Sequence, residues 1–307
     1  MTKVFIDGSV GTTGLRIFER LNARKDLSLI TLPEQFRKDA DARKEAINSA
    51  DVAFLCLPDA AAVEAVSFVE NKNTAIIDTS TAHRTAEGWD YGFAELKGQR
   101  EKIAASKRVA NPGCHASGFI ALVQPLVNCK IIGKGQRLDC TSITGYSGGG
   151  KKMIAEYESE EKSPLLSAPR MYGLSQSHKH LKEMKAVCCL ESAPSFLPIV
   201  APFYSGMQVT VSLFKEDING SLKDIQDCYR EYYNGGLVSF CENADEDGFM
   251  SALAYSGRDD MQVTVCGNDE RIVLVSRFDN LGKGASGAAI QNMNVLLGID
   301  EKTGLVF

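Results

Sequence analysis

A strand, a glycine turn and a helix open the chain in that order, and no other feature restricts the fold as much. Val4-Phe5-Ile6 is a β-branched and aromatic run ending at Asp7-Gly8. The turn G-S-V-G-T-T-G follows, with Gly8, Gly11 and Gly14 three residues apart, and Leu15, Ile17, Phe18 and Leu21 then recur at helical spacing. Glycines there let backbone amides and a helix N-terminus approach a pyrophosphate, as at the start of a dinucleotide-binding unit. The spacing G-x-x-G-x-x-G departs from the usual G-x-G-x-x-G, so the rhythm that follows carries the assignment. Segments 27–32, 51–57 and 74–78 read as further strands, with helical stretches between them, notably 60–69. Alternation of this kind implies a parallel sheet with right-handed crossovers. A Rossmann-type domain is expected over 1–113, rejoined by 283–307.

Beyond residue 114 the texture changes. Segments 137–145, 207–214, 261–266 and 272–278 alternate apolar residues with Thr, Ser or Gln, which suits a mainly antiparallel sheet covered on one face. Helices are expected over 221–233 and over 284–297. The fold class is therefore α/β, a Rossmann-type unit plus an α+β domain over 114–282. At 307 residues, two domains are the natural division.

Composition narrows the function. A net charge of −5, from 34 basic and 39 acidic residues, lacks the basic footprint of a nucleic-acid binder. No apolar run approaches the ~18 residues of a membrane span. The N-terminus has neither a secretory nor a transit pattern, and reads as the first strand of a cytoplasmic protein. Nine cysteines, an odd number without a C-x-x-C pair, indicate reduced thiols rather than disulfides or a zinc finger.

One cysteine stands apart. In Asn111-Pro112-Gly113-Cys114-His115-Ala116-Ser117-Gly118, a Pro-Gly turn leads straight into an apolar helical run. Cys114 then sits at a helix N-terminus, where the macrodipole and open amides favour a thiolate or a developing oxyanion. Pro125 falls inside that run and is expected to kink or stop the helix. Of the four histidines, His115 is next to Cys114 but diverges from it on a helix. His178 and His180 precede a helical stretch, with Glu183 three residues beyond His180, and no third metal ligand accompanies them. Anion-handling groups stand at Ser147 and Lys151 in a glycine loop, and at Arg84 after the fourth strand. The cofactor's 2′ position is read both ways, by Glu34 for a ribose hydroxyl and by Arg37-Lys38 for a phosphate.

Taken together, these motifs resemble N-acetyl-gamma-glutamyl-phosphate reductase in its shorter form, over essentially the whole chain. The likeness rests on the turn at 8–14, F-L-C-L-P-D at 54–59, D-T-S-T-A-H-R at 78–84 and N-P-G-C-H-A-S-G at 111–118. It continues through G-Y-S-G-G-G-K-K at 145–152, H-K-H-L-K-E at 178–183 and D-N-L-G-K-G-A-S-G-A-A-I-Q-N at 279–292. The longer form has Asp-Phe-Arg where this chain has Ala82-His83-Arg84, and Arg where Lys179 stands.

The resemblance implies an NADP(H)-dependent oxidoreductase of arginine biosynthesis. Cys114 takes up an acyl phosphate as a thioester and releases phosphate, with His180, or His178 in reserve, as acid and base. It carries cofactor contacts onto Gly8, Ser9, Val10, Gly11, Thr12, Thr13, Gly14, Arg37, Leu57, Pro58, Ser80, Asn280 and Gly284. Substrate contacts fall on Arg84, Asn111, Ser147 and Lys151; no metal, nucleic acid or membrane is involved. A homodimer or homotetramer is implied. The rivals are an aspartate-semialdehyde dehydrogenase, which shares the thioester chemistry, and a non-catalytic dinucleotide sensor.

Overall fold

The computed structural model describes residues 1–307. They form two compact units, one of Met1–Ala94, Gly98–Pro112 and Ala285–Leu305, the other of Glu95–Lys97, Gly113–Gly284 and Val306–Phe307.

In chain order the first unit holds β1 (Thr2–Asp7), α1 (Thr12–Asn22), β2 (Leu27–Ile30), α2 (Ala40–Ser49) and β3 (Val52–Leu55). It continues with α3 (Asp59–Ser67), β4 (Ala75–Asp78), β5 (Asp90–Tyr91), α4 (Gln99–Ala105) and β6 (Arg108–Ala110). The six strands lie in the order β2-β1-β3-β4-β6-β5, all parallel. Both faces of this sheet are buried, because successive side chains point to opposite sides. Val4, Ile6, Phe54 and Ile77 feed one core with Ile17 and Leu21, while Phe5, Leu55 and Ile76 feed another with Ile47. Burial of side chains this size contributes ~1.5–3 kcal/mol each.

The second unit carries α5 (Cys114–Asn128), β7 (Asp139–Gly145), α6 (Gly150–Glu158), β8 (Arg170–Met171) and α7 (His180–Val187). After these come β9 (Ser195–Ala201), β10 (Met207–Phe214), α8 (Leu222–Tyr232), β11 (Val238–Phe240), β12 (Met261–Gly267) and β13 (Arg271–Phe278). Its seven strands run β11-β12-β13-β10-β7-β9-β8. Four of the six pairings are antiparallel; β11 with β12 and β7 with β9 are parallel. Helix α5 packs against β10 and β13 on one side of the sheet and contacts α7 and α8. No helix is long and apolar enough to cross a membrane.

Helix α5 passes through Pro125 and stops near it, at Asn128. A proline cannot donate to the carbonyl four residues back, and tertiary structure supplies the missing donor: the Tyr233 hydroxyl donates to Ala121 O at 2.6 Å. The Tyr229 hydroxyl donates to Leu122 O beside it. One expectation fails: the last helix, α9, spans Gly287–Leu296 in the first unit rather than starting at Gly284. Gly282–Ser286 before it is a π-turn, in which the Gly284 N–H reaches back five residues to Asp279 O at 3.0 Å.

Candidate active site

The glycine turn is built as a cradle. Gly8 has φ +84°, and a Cβ on it would stand 2.3 Å from Cys56 O; one on Gly14 would stand 2.3 Å from Gly8 O. Neither position accepts any other residue. Gly11 is the N-cap of α1 and supplies no side-chain cap, so the first-turn amides at Thr12 and Thr13 remain open to a ligand. A groove of about 910 Å³ runs from this turn along the tip of β2. Gly8, Ser9, Val10 and Leu57 line it at one end, and Glu34, Arg37 and Lys38 at the other. Buried Arg43 also lines it, donating to Asp7 Oδ2 at 3.0 Å and Glu64 Oε2 at 2.9 Å. Burial pushes the Asp7 carboxyl up against the opposing pull of Arg43. Pro58 lies outside this lining, as the N-cap of α3.

Ser80 is also away from the groove. Its hydroxyl donates to Asp78 Oδ2 at 2.7 Å, and the same carboxylate oxygen lies 2.6 Å from His83 Nδ1. The His83 ring stacks on Trp89 with centroids 4.1 Å apart. Asn111, fully buried, is held on every side within its unit. Its Nδ2 donates to Ala285 O at 3.0 Å, and its Oδ1 accepts from Asn292 Nδ2 at 3.1 Å. Arg84 Nε donates to Asn111 O at 2.9 Å, and Nη2 to Thr79 O at 3.1 Å. Those bonds make Arg84 a brace for the strand end before the Pro-Gly turn.

Half-buried Cys114 is the first residue of α5. Gly113, its N-cap, has extended backbone and no side-chain cap. The Gly113 N–H instead donates to Glu183 Oε2 at 3.1 Å. Glu183 is buried in α7, and its other oxygen lies 3.9 Å from His180 Nε2. One carboxylate thus touches the turn before the cysteine and faces the histidine at the start of α7. His178 acts locally, since its Nδ1 accepts the His180 backbone N–H at 3.2 Å, which places a lone pair at that nitrogen.

His115 does what sequence reasoning did not foresee. It is buried, with Nδ1 2.7 Å from Ser142 Oγ and Nε2 2.6 Å from the Tyr172 hydroxyl. Its ring packs within 5.6 Å of those of His178, His180 and Phe196. Burial, aided by a smaller electrostatic influence of His178, lowers its pKa to about 3, so it stays neutral. Burial raises the Tyr172 phenol, and Cys114 adds to that rise. The signal for Glu183 was present in the H-x-H-x-x-E spacing; nothing local marks Ser142 or Tyr172.

The remaining predicted residues lie in the second unit at differing depth. Asn280 and Ser147 are buried and joined, Nδ2 donating to Oγ at 3.0 Å, while Asn280 Oδ1 accepts from Gly206 N at 3.0 Å. Lys151 is exposed near the start of α6. Gly284 abuts Cys114: a Cβ there would stand 2.9 Å from Cys114 Cβ.

Residues 3–106 match the family described as semialdehyde dehydrogenase, NAD binding domain, and residues 114–280 match semialdehyde dehydrogenase, dimerisation domain. The chain is 46% identical to N-acetyl-gamma-glutamyl-phosphate reductase 2 of a Nostoc species, over 99% of each chain. It is 44% identical to N-acetyl-gamma-glutamyl-phosphate reductase of Sinorhizobium medicae, over 96% of this chain and 98% of that one. Among solved structures, aspartate semialdehyde dehydrogenase II of Vibrio cholerae complexed with ASA superposes with a TM-score of 0.72 at 15% identity, covering 97% of this chain and 98% of that one. Aspartate semialdehyde dehydrogenase with NADP from Candida albicans gives 0.65 at 18%, covering 97% and 98%. At such identities the structural likeness is one of fold.

Proposed function

Because the chain belongs to the semialdehyde dehydrogenase family, among its N-acetyl-gamma-glutamyl-phosphate reductases, we propose that it makes N-acetyl-glutamate semialdehyde from the acyl phosphate, using NADPH, in arginine biosynthesis. The observation that carries this reading is Cys114 on the uncapped start of α5, with Glu183 linking the Gly113 amide to His180. The glycine cradle and its groove fit a dinucleotide, and two cations against one carboxylate at the far end favour a 2′-phosphate. Function divides accordingly, with the cofactor on 1–113 and 283–307 and the chemistry on 114–282.

His180 takes the thiol proton, with Glu183 stabilising the imidazolium that forms. The Cys114 thiolate attacks the acyl carbon, the carbon–oxygen bond to phosphate breaks, and a thioester remains. Open amides of the α5 first turn stabilise the negative oxygen at this stage. NADPH, when bound along the cradle, supplies hydride to the thioester carbon. As the carbonyl reforms, the carbon–sulfur bond breaks, the aldehyde leaves, and His180 returns its proton to sulfur. The departing phosphate takes its proton from solvent.

The test runs the reaction backwards: phosphate-dependent reduction of NADP with N-acetyl-glutamate semialdehyde, for wild type and Cys114→Ser, with aspartate semialdehyde as control. Expected is turnover of the acetylated substrate that falls at least ~10³-fold in the variant. Turnover of aspartate semialdehyde alone overturns the substrate. NADP binding without turnover of either makes the protein a sensor.

The same reading makes the protein a homo-oligomer of the cytoplasm, an environment that suits nine thiols. Thr141, Ile143, Leu197, Ile199 and Thr210 are half-buried and adjacent in register on the sheet face opposite the buried residues of β7, β9 and β10. A second copy packed on that face gives a dimer. Ile143→Asp/Ile199→Asp should then sediment as a monomer; an unchanged particle mass rules the face out.

A further inference from the structure

We propose that the buried ion pair Lys283–Glu95 is a positioning pair, which locks the π-turn behind Cys114 in the one register that leaves room for the nucleophile. The inference rests on Cys114 being that nucleophile. Lys283 and Glu95 are 1% and 3% exposed at the side chain, and the ammonium donates to both carboxylate oxygens, at 2.7 and 2.8 Å. The chemistry above uses neither residue. Taking two charges out of water is costly, and an apolar pair of similar volume stabilises a fold as well or better. What such a pair adds is direction: neither charge can turn elsewhere without giving up the two hydrogen bonds that join it to the other.

Direction matters at this point because of what flanks the lysine. The Gly282 N–H is held by Asp279 Oδ1 at 2.9 Å, and a Cβ on Gly282 would collide with Arg258 O at 1.9 Å. On the other side, Gly284 makes the five-residue bond to Asp279 O, and its bare Cα faces Cys114 Cβ. A π-turn is an α-helix with one residue inserted. Relaxing it to α spacing would turn Gly284 away and bring Lys283 or Ala285, each with a Cβ, toward the cysteine. The buried lysine blocks that slip, since its ammonium would have to leave Glu95.

The experiment uses the full chain. Glu95→Leu/Lys283→Met removes both charges together, so the fold survives. Its melting temperature should stay within a few degrees of wild type. Its kcat in the reductase assay should fall at least tenfold, and alkylation of Cys114 by iodoacetamide, mapped by peptide mass, should slow at least threefold with a displaced pH profile. Gly284→Ala, with the ion pair intact, should reproduce the slow alkylation. A double variant with wild-type kcat and alkylation profile would falsify the proposal, leaving the pair structural only. If the double variant does not fold, Gly284→Ala decides: unchanged alkylation sinks the register argument and slowed alkylation supports it. Alkylation needs no substrate, so a wild type inactive on the acyl phosphate would fail the proposed function without touching this test.

Discussion

Helices α1 and α5 begin differently from α2 and α8. The last two are closed by their own side chains: Asp39 accepts the Ala42 N–H at 2.8 Å, and Ser221 with Asp224 forms a reciprocal capping box. The first two start after a glycine in extended conformation with no side-chain cap. Open first-turn amides in α1 and α5 face the glycine cradle and the cysteine, where an anion is expected. In α2 and α8 a side chain at the helix start accepts one of the first-turn amides. A helix start with glycine in place of a side-chain cap gives up a few tenths of a kcal/mol. At Gly11 sterics do not explain the choice, since a Cβ there would meet Gly8 O at 3.5 Å and Cys56 O at 4.0 Å, both ordinary contacts, with φ at −73°.

The largest expected effect sharpens the α5 side. His115 occupies the first turn of α5, where a positive charge would oppose the dipole that favours a thiolate. Its folded pKa of about 3 lies below the ordinary 6.5, so the unfolded chain binds the proton first. Stability from this group is complete above pH 6.5 and falls as pH drops toward 3. By pH 4.5 the loss is about 2–3 kcal/mol. Urea unfolding of wild type and His115→Asn at pH 7 and 4.5 reads it as a shrinking gap between the two proteins. A gap independent of pH would mean His115 is not held neutral.

Gly11→Asp attacks the α1 side by giving that helix the cap it lacks. The aspartate has room, and should accept a first-turn N–H as Asp39 does in α2. Melting temperature should hold or rise, while the Kd for NADPH weakens at least tenfold, about 1.4 kcal/mol. Titration calorimetry on the variant separates the two. An unchanged Kd would show that the amides of α1 do not serve the cofactor.

Much of the first unit was legible because its signals are local. Each strand of the β-α-β series is a short apolar run bounded by turn residues, and neighbours in sequence are near neighbours in the sheet. The start of α5 was legible for the same reason, through Pro112-Gly113 and the apolar run after Cys114. What escaped was set by long-range partners. Pro125 signals a break, yet the Tyr233 hydroxyl satisfies the one carbonyl that it strands, Ala121 O. His115 looked idle beside Cys114, and only Ser142 and Tyr172 give it a place. The small-residue run 284–297 read as one helix, because periodicity over so few residues does not separate a π-turn from an α-turn.

The smallest effect tests the other half of the comparison. Ser221 Oγ accepts the Asp224 N–H at 3.3 Å, and Asp224 Oδ2 accepts the Ser221 N–H at 2.8 Å, all at the surface. Ser221→Ala removes both bonds of the hydroxyl, from the Asp224 N–H and to Asp224 Oδ2 at 2.7 Å, and leaves the backbone arm. Water replaces the lost acceptor, so the cost should be about 1 kcal/mol in urea unfolding. Because the amides at this helix start serve no ligand, kcat/KM should stay within twofold of wild type. A capped and an uncapped helix in one chain then respond in opposite senses: loss of the Ser221 cap lowers stability and spares function, while a new cap at Gly11 spares stability and lowers function. If Ser221→Ala weakened turnover tenfold at unchanged stability, a side-chain cap would no longer mark a helix start as structural, and the distinction between the two pairs would fail at its simpler end.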